Sequence, residues 1–331
     1  MRTALFVLIG ILLLGASASA QVIADYGYLR NPPVFIDTDR DVALTLMGPN
    51  VPQVFTLSAE GVYTEAEGFN KNGRNVQPSL IVDALLFRLN AAWPLGEGGA
   101  IRAIVPYSRN RARGYINGLV ASGESTGIGD ISVLVNKRLW IREDDSRLVA
   151  SFGVDLPTGK DDRHFDQFNA STRGYYSTDP GRMPIAWQAG TKSLNLYGGL
   201  SYGWGAERMA YHAIAALKVF GKGFEDSKIG TVGILAVGGT YGISRTTAVT
   251  AGLTLRSQKD DEYPRAPAPS VEGGVLAGTS LNGTSLIFDP SFRWDVHRNL
   301  TIGVKYRVPI MTPDNGDIPS TRLMLLLYPK F

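Results

Sequence analysis

From about residue 53 onward, apolar and polar positions alternate in runs of roughly ten residues, separated by stretches rich in Gly, Pro, Asp and Ser. A period of two sends alternate side chains to opposite faces of an extended strand. The stretch 127–159 shows this most plainly. In its first half Ile131, Val133, Val135 and Leu139 share one face, with Asp130, Ser132, Asn136 and Arg138 on the other. A charged turn, Arg142-Glu143-Asp144-Asp145-Ser146, leads to a second half in which Leu148, Ala150, Phe152, Val154 and Leu156 line up opposite Ser151, Gly153 and Asp155. One face reads as apolar and the other as polar or small. That is the pattern of a strand pair in a barrel with lipid outside and water inside.

A second pair repeats the pattern over 79–94 and 100–112, joined by Leu95-Gly96-Glu97-Gly98-Gly99. A turn centred on Glu97 opposes Trp93 to Ile101, Leu89 to Val105, Phe87 to Tyr107 and Asp83 to Arg111. The outward face then has an apolar middle, an aromatic rim and a charged rim, while Arg88, Asn90 and Arg102 fall inward. Further strands are expected at 53–67, 193–204, 209–220, 229–242, 247–258, 286–296, 301–311 and 321–331. Connections alternate between short turns and longer polar loops, with loops at 68–78, 113–125, 160–184, 259–284 and 312–320. Outer-membrane barrels separate short periplasmic turns from longer extracellular loops in this way. The fold class expected is all-β: a transmembrane antiparallel β-barrel of about twelve strands over residues 52–331.

The ends of the chain agree with export. Arg2, the apolar run 4–15 and the small residues Ala16-Ser17-Ala18-Ser19-Ala20 read as a signal peptide over residues 1–20. That run is too short to cross a bilayer as a helix. Residues 21–51 form an N-terminal arm whose Asn31-Pro32-Pro33 forbids a continuous ladder. The chain has no cysteine, which removes disulfides, thiolate chemistry and thioether lipidation. A formal net charge of +3 argues against nucleic acid as a partner. In the last strand Leu323, Leu325, Leu327, Pro329 and Phe331 share a face. A terminal Phe behind such a strand resembles the signal by which outer-membrane proteins are handed to the barrel-assembly machinery.

Gly127-Ile128-Gly129-Asp130, the partner strand ending in Leu156-Pro157-Thr158-Gly159, and the earlier Val105-Pro106-Tyr107 resemble motifs of an outer-membrane family described as meta-pathway phenol-degradation proteins and transporters. The match is most specific over residues 100–160. The resemblance implies a barrel and the uptake of aromatic compounds.

Candidate chemistry is confined to the lumen and the outer rim. Alternation places Asn136, Arg138, Asp155, Arg256, Asp289, Arg293, Asp295, Lys305, Arg307 and Arg322 inside, with Asp289 opposite Arg307. These charges either brace the wall across a narrow interior or form a constriction that selects small or anionic solutes. Arg109, Arg111 and Arg113 alternate on the outward face at the extracellular rim, where lipopolysaccharide phosphates would meet them. Gly127, Gly129, Asp130, Pro157, Thr158 and Gly159 read as structural: glycines ease the start of a strand, Asp130 points to the lumen, and no helix follows to make an anion site. Asp37-Thr38-Asp39-Arg40-Asp41 lacks the glycine and the bidentate Glu of a calcium loop. His164, His212 and His297 show no metal-ligand spacing. A membrane phospholipase would need a Ser–His pair on the outer face, whereas His212 falls on the inward face with Ile214, Ala216 and Lys218. The expectation is a channel for passive uptake of small solutes, hydrophobic or aromatic, without enzymatic activity, cofactor or metal. The partners expected are outer-membrane lipid and lipopolysaccharide, the barrel-assembly machinery and a small-molecule solute. The alternative is a non-transporting envelope barrel acting through its loops.

Overall fold

The computed structural model describes residues 51, 55–71, 74–75, 81–116, 119–141, 146–160, 162–164, 166, 182–183, 188–206, 208–262, 264, 283–297, 300–311, 316–319 and 322–329. The expected signal peptide, the expected arm up to residue 50, most of the expected loops 160–184 and 259–284, and Phe331 lie outside these residues.

Strong alternation gives long strands, here β1 (Thr56–Lys71), β2 (Arg74–Asn75), β3 (Ile81–Pro94), β4 (Gly99–Ile116), β5 (Leu119–Ile128), β6 (Ile131–Ile141), β7 (Arg147–Leu156) and β8 (Asn195–Ala206). They are followed by β9 (Met209–Val219), β10 (Val232–Gly242), β11 (Thr247–Gln258), β12 (Gly283–Phe288), β13 (Ser291–His297), β14 (Leu300–Met311), β15 (Gly316–Pro319) and β16 (Arg322–Pro329). Three wall strands are each built of two pieces, because β5 and β6 both pair with β4, β12 and β13 both with β11, and β15 and β16 both with β1. β2 is a short return onto the end of β1. The wall therefore has twelve strands, each antiparallel to the next, closed by pairing of the last with the first. Closure satisfies every sheet edge, the condition for crossing a membrane with strands.

The anticipated registers hold. Trp93 pairs with Ile101, Phe87 with Tyr107 and Asp83 with Arg111. The alternation divides the wall as expected: Leu89, Phe152, Leu235 and Ile310 are 48%, 59%, 57% and 58% exposed on the outside. A soluble monomer does not display apolar surface of this extent around its circumference; here it is the lipid face. Aromatic side chains gather at the short-turn end, with Phe55 against Trp93 at 5.4 Å and a run Trp140–Tyr202–Trp204–Tyr211 with centroid spacings of 5.7, 5.1 and 5.4 Å. Amphipathic rings favour the interface between hydrocarbon and headgroups, so this end marks one membrane boundary.

Three expectations are corrected. The expected loop 312–320 contains β15, which pairs with β1 where that strand runs on to Lys71, into the expected loop 68–78. Residues 113–125 are not a loop. β4 continues to Ile116 and pairs with β5 from Ile116↔Leu119 down to Tyr107↔Ile128, making a hairpin that rises above the wall. The link is Asn117-Gly118, the dipeptide most favoured in two-residue hairpins. The inward face is also not uniformly polar, since Leu134 and Val149 are fully buried there. A twelve-stranded barrel has a narrow interior, and packed apolar side chains fill part of it. Between Ile128 and Ile131 the register against β4 shifts by one residue, from Tyr107↔Ile128 to Ile104↔Ser132. The shift is a bulge at Gly129-Asp130, and it switches which positions point inward, odd-numbered in β5 and even-numbered in β6.

Candidate functional site: the lumen and its mouth

Two buried carboxylates organise the charges of the inner wall. Asp155 on β7 lies 2.7 Å from Lys218 Nζ on β9. It accepts a hydrogen bond from Ser132 Oγ of β6 at 2.6 Å and one from Asn195 Nδ2 of β8 at 3.4 Å. The Lys218 ammonium also sits 4.7 Å from the Phe220 ring centroid. Asp289, just before Pro290, is the second centre. Arg307 Nε approaches it at 3.2 Å, Lys305 Nζ at 3.5 Å, and Thr254 Oγ1 donates to it at 3.2 Å. The Asp289–Arg307 pairing inferred from alternation is thus present.

The other candidates whose side chains are described take their expected sides. Asn136 is buried and donates to Ser151 Oγ at 2.7 Å. Arg293 is buried, with Asp295 Oδ1 4.0 Å from its Nε, and Asp295 also accepts from Thr301 Oγ1. Arg256 donates to Gln258 Oε1 at 2.7 Å. Arg138 lies at the short-turn end, its backbone N–H donating to Gly98 O at 2.6 Å. Arg322 stands opposite Arg307 in the ladder; its side chain lies outside the described residues. His212 faces inward, as alternation requires. Three cations outside the candidate set belong to this wall, namely Lys218, Arg88 and Arg102. Their signal was the same alternation; Arg88 is only 2% exposed.

Tyr197 lies along the inner wall, reaching from β8 over β7 to β6. Its hydroxyl donates to Val133 O at 3.1 Å, and its ring lies over Gly153, where a Cβ would come within 2.3 Å of it. Only a glycine permits that approach.

The shared motifs form a clamp at the long-loop end. Asp130 does not simply point into the lumen. It accepts from Gly159 N at 3.0 Å, Thr191 N at 2.8 Å and Thr191 Oγ1 at 2.6 Å, holding both ends of the β7–β8 connection. Thr158 Oγ1 bridges Ile131 N at 2.9 Å and Gly129 O at 3.1 Å. Gly159 and Gly190 are stacked so closely that a Cβ on either would lie within 2.5 Å of the other's backbone. Beyond the clamp, the connection docks on β5, with Asp166 N donating to Ser122 O at 2.7 Å and Ala189 N to Ser125 Oγ at 3.1 Å. Its Arg182 guanidinium stacks 3.5 Å over Phe224, in the 3-10 turn (Phe224–Asp226) that links β9 to β10.

Arg109, Arg111 and Arg113 are exposed on the outer face at this same end. Arg109 Nη2 is 2.7 Å from Glu124 Oε2, and this guanidinium holds the Glu124 carboxyl below the usual carboxylate range. Among the described residues, no group of His, Asp and Glu side chains could hold a metal ion.

No protein-family model matches the chain. No curated protein matches it either. Among solved structures it is similar to an outer membrane channel from Pseudomonas putida F1, with a TM-score of 0.65 and 14% identity over 85% of this chain and 97% of that one. The translocator domain of the autotransporter NalP from Neisseria meningitidis is similar at a TM-score of 0.49 and 11% identity, covering 85% of this chain and 90% of that one. A Pseudomonas aeruginosa FadL homologue is similar at 0.42 and 9% identity, covering 95% and 99%. The first similarity shows the fold; the other two are too distant in shape to add to it. The chain folds as a twelve-stranded transmembrane β-barrel of the kind found in outer-membrane proteins.

Proposed function

We propose that this protein is an outer-membrane channel through which small solutes, hydrophobic or aromatic, diffuse passively, without cofactor or catalysis. The observation that carries the reading is a closed wall, apolar outside, whose interior concentrates charged side chains around Asp155 and Asp289. Such groups within a barrel set ion and solute preference. The similarity of fold to an outer membrane channel supports the same reading. Membership of the meta-pathway phenol-degradation family belongs to this reading, and of its motif residues Gly129, Asp130, Thr158 and Gly159 meet in the clamp. In this reading the signal peptide is removed, Phe331 serves the assembly machinery and the short turns face the periplasm. Arg109, Arg111 and Arg113 contact lipopolysaccharide phosphate, and loss of all three with unchanged lipid co-purification would count against that contact.

Liposome swelling with a panel of sugars, organic acids and phenols tests the channel, and absence of swelling with every solute would sink it. One observation favours the alternative, a non-transporting envelope barrel: large inward side chains are covered, with Arg88 and Arg307 each 2% exposed. Recordings of the Asp289→Ala plus Arg307→Ala variant separate two roles for the lumen charges within a channel. A selectivity element changes conductance and ion preference when removed, and a purely structural brace does not.

A further inference from the structure

The lipid face of the wall carries a groove of about 670 Å³ across β9, β10, β11, β13 and β14. That volume lies within the range of small-molecule sites. Its rim on the short-turn side is a row of exposed apolar side chains, Met209, Tyr241, Val249 and Phe292, paired in the ladder. The rim on the other side is the exposed pair Val237 and Leu253. Between the rims the outward row drops to small residues. Gly239 pairs with Ala251. The register that sets Phe288 against Leu253 and Ser291 against Thr250 puts Pro290 opposite Ala251. At one end of this floor Tyr211 stands beside Gly239, where a Cβ would lie 3.2 Å from its ring. At the other, Tyr306 N donates to Pro290 O at 2.8 Å.

We propose that this groove seats one acyl chain of a glycerophospholipid. Its surroundings, Leu235, Val237 and Leu253, belong to the exposed apolar band, so it opens into hydrocarbon. It is one residue row wide, and like-facing rows are about 7 Å apart. A single polymethylene chain reaches the floor of such a slot; the convex wall of a second barrel does not. Within hydrocarbon no hydrophobic force favours one apolar surface over another, so shape decides. An unfilled slot forfeits dispersion contacts along its lining, and a chain lying in it touches three sides instead of one. Met209 on the rim follows directly after the β8–β9 turn, so the groove lies near the short-turn boundary. With the short turns in the periplasm, as proposed, the leaflet at that boundary is phospholipid. The lipid class rests on that orientation; the groove itself does not.

Native mass spectrometry of the full mature chain, extracted in mild detergent from membranes holding both phospholipid and lipopolysaccharide, tests this. Wild type is expected to retain one phospholipid per barrel. Ala251→Phe fills the floor and is expected to lower that occupancy roughly tenfold, the loss of about ten close carbon contacts. Ala215→Phe is the control, an equal change at an exposed position on the lipid face of β9 outside the groove, and is expected to keep the lipid. Heat-modifiable gel migration reports whether each barrel has closed, and Gly239→Val raises the floor at a second point should Ala251→Phe not close. No lipid on wild type, or equal retention by the Ala251 and Ala215 variants, would overturn the inference with the orientation intact. Lipopolysaccharide in the groove, displaced by Ala251→Phe, would overturn both. A dimer that Ala251→Phe dissociates would overturn the inference in favour of a second copy of the chain.

Discussion

Asp155 and Asp289 are both buried carboxylates of the inner wall, yet their surroundings differ. Asp155 has one cation, Lys218, and two neutral donors, so four successive strands, β6 to β9, are tied through a group of zero net charge. Asp289 meets two cations, Lys305 and Arg307, and accepts a hydrogen bond from a neutral donor, Thr254. A balanced centre is complete in itself. A carboxylate shared by two cations also holds together two like charges that would repel each other without it. The same hydrogen-bonding chemistry therefore ties strands on one side of the barrel and holds like charges together on the other.

Removing each carboxylate should expose the difference. Asp289→Asn leaves two buried cations facing each other and should cost about 3–5 kcal/mol, the range for breaking a buried pair, read as a lower urea-unfolding midpoint in detergent or lipid. A loss below about 1 kcal/mol would mean that water or other groups already screen the site. Asp155→Asn strands only Lys218 and should fall near the lower end of that range, about 3 kcal/mol. The double variant Asp155→Leu plus Lys218→Met should recover most of it, because a well-packed apolar pair often matches a buried ion pair. Failure to recover would assign Asp155 a role beyond balancing Lys218. The third carboxylate, Asp130, binds backbone N–H groups instead of cations. Asp130→Ala should cost about 1–3 kcal/mol and speed proteolysis of the β7–β8 connection with the wall intact. Equal rates of cleavage would contradict the clamp. The exposed pair Arg109–Glu124 is the control, and Arg109→Ala should cost about 0.2–1 kcal/mol. Glu124 has a lowered carboxyl pKa in the folded state. The small contribution of the pair is therefore present above the ordinary carboxylate range and lost as pH falls through the lowered value. A pH-independent effect of the Arg109 variant would deny the pairing.

The wall was legible in the sequence because lipid enforces strict alternation on its outer face. Trp93, Phe152 and Leu235 could sit on only one side, and Asp83–Arg111 and Asp289–Arg307 followed from registers set by short turns. Above the membrane that constraint ends. Arg111, Arg113 and Glu124 are all tolerated on the outer face of the β4–β5 hairpin, so the pattern there resembles a loop, and Asn117-Gly118 was the remaining local sign of a turn. Inside, Leu134 and Val149 escaped notice because a narrow lumen accepts apolar as readily as polar side chains. The role of Asp130 was hidden for another reason. Its partner Thr191 lies 61 residues away, and nothing local announces so distant a contact.

The aromatic end of the barrel gives the molecule a built-in optical probe. Of five tryptophans, Trp93, Trp140, Trp204 and Trp294 all stand within a few residues of the short turns, and Trp187 lies outside the described residues. In a Trp187→Phe variant, intrinsic tryptophan emission therefore reports on one lipid–water boundary. Quenchers carried at graded depths in the acyl chains would time the arrival of that boundary as the chain inserts, with little background from the opposite leaflet.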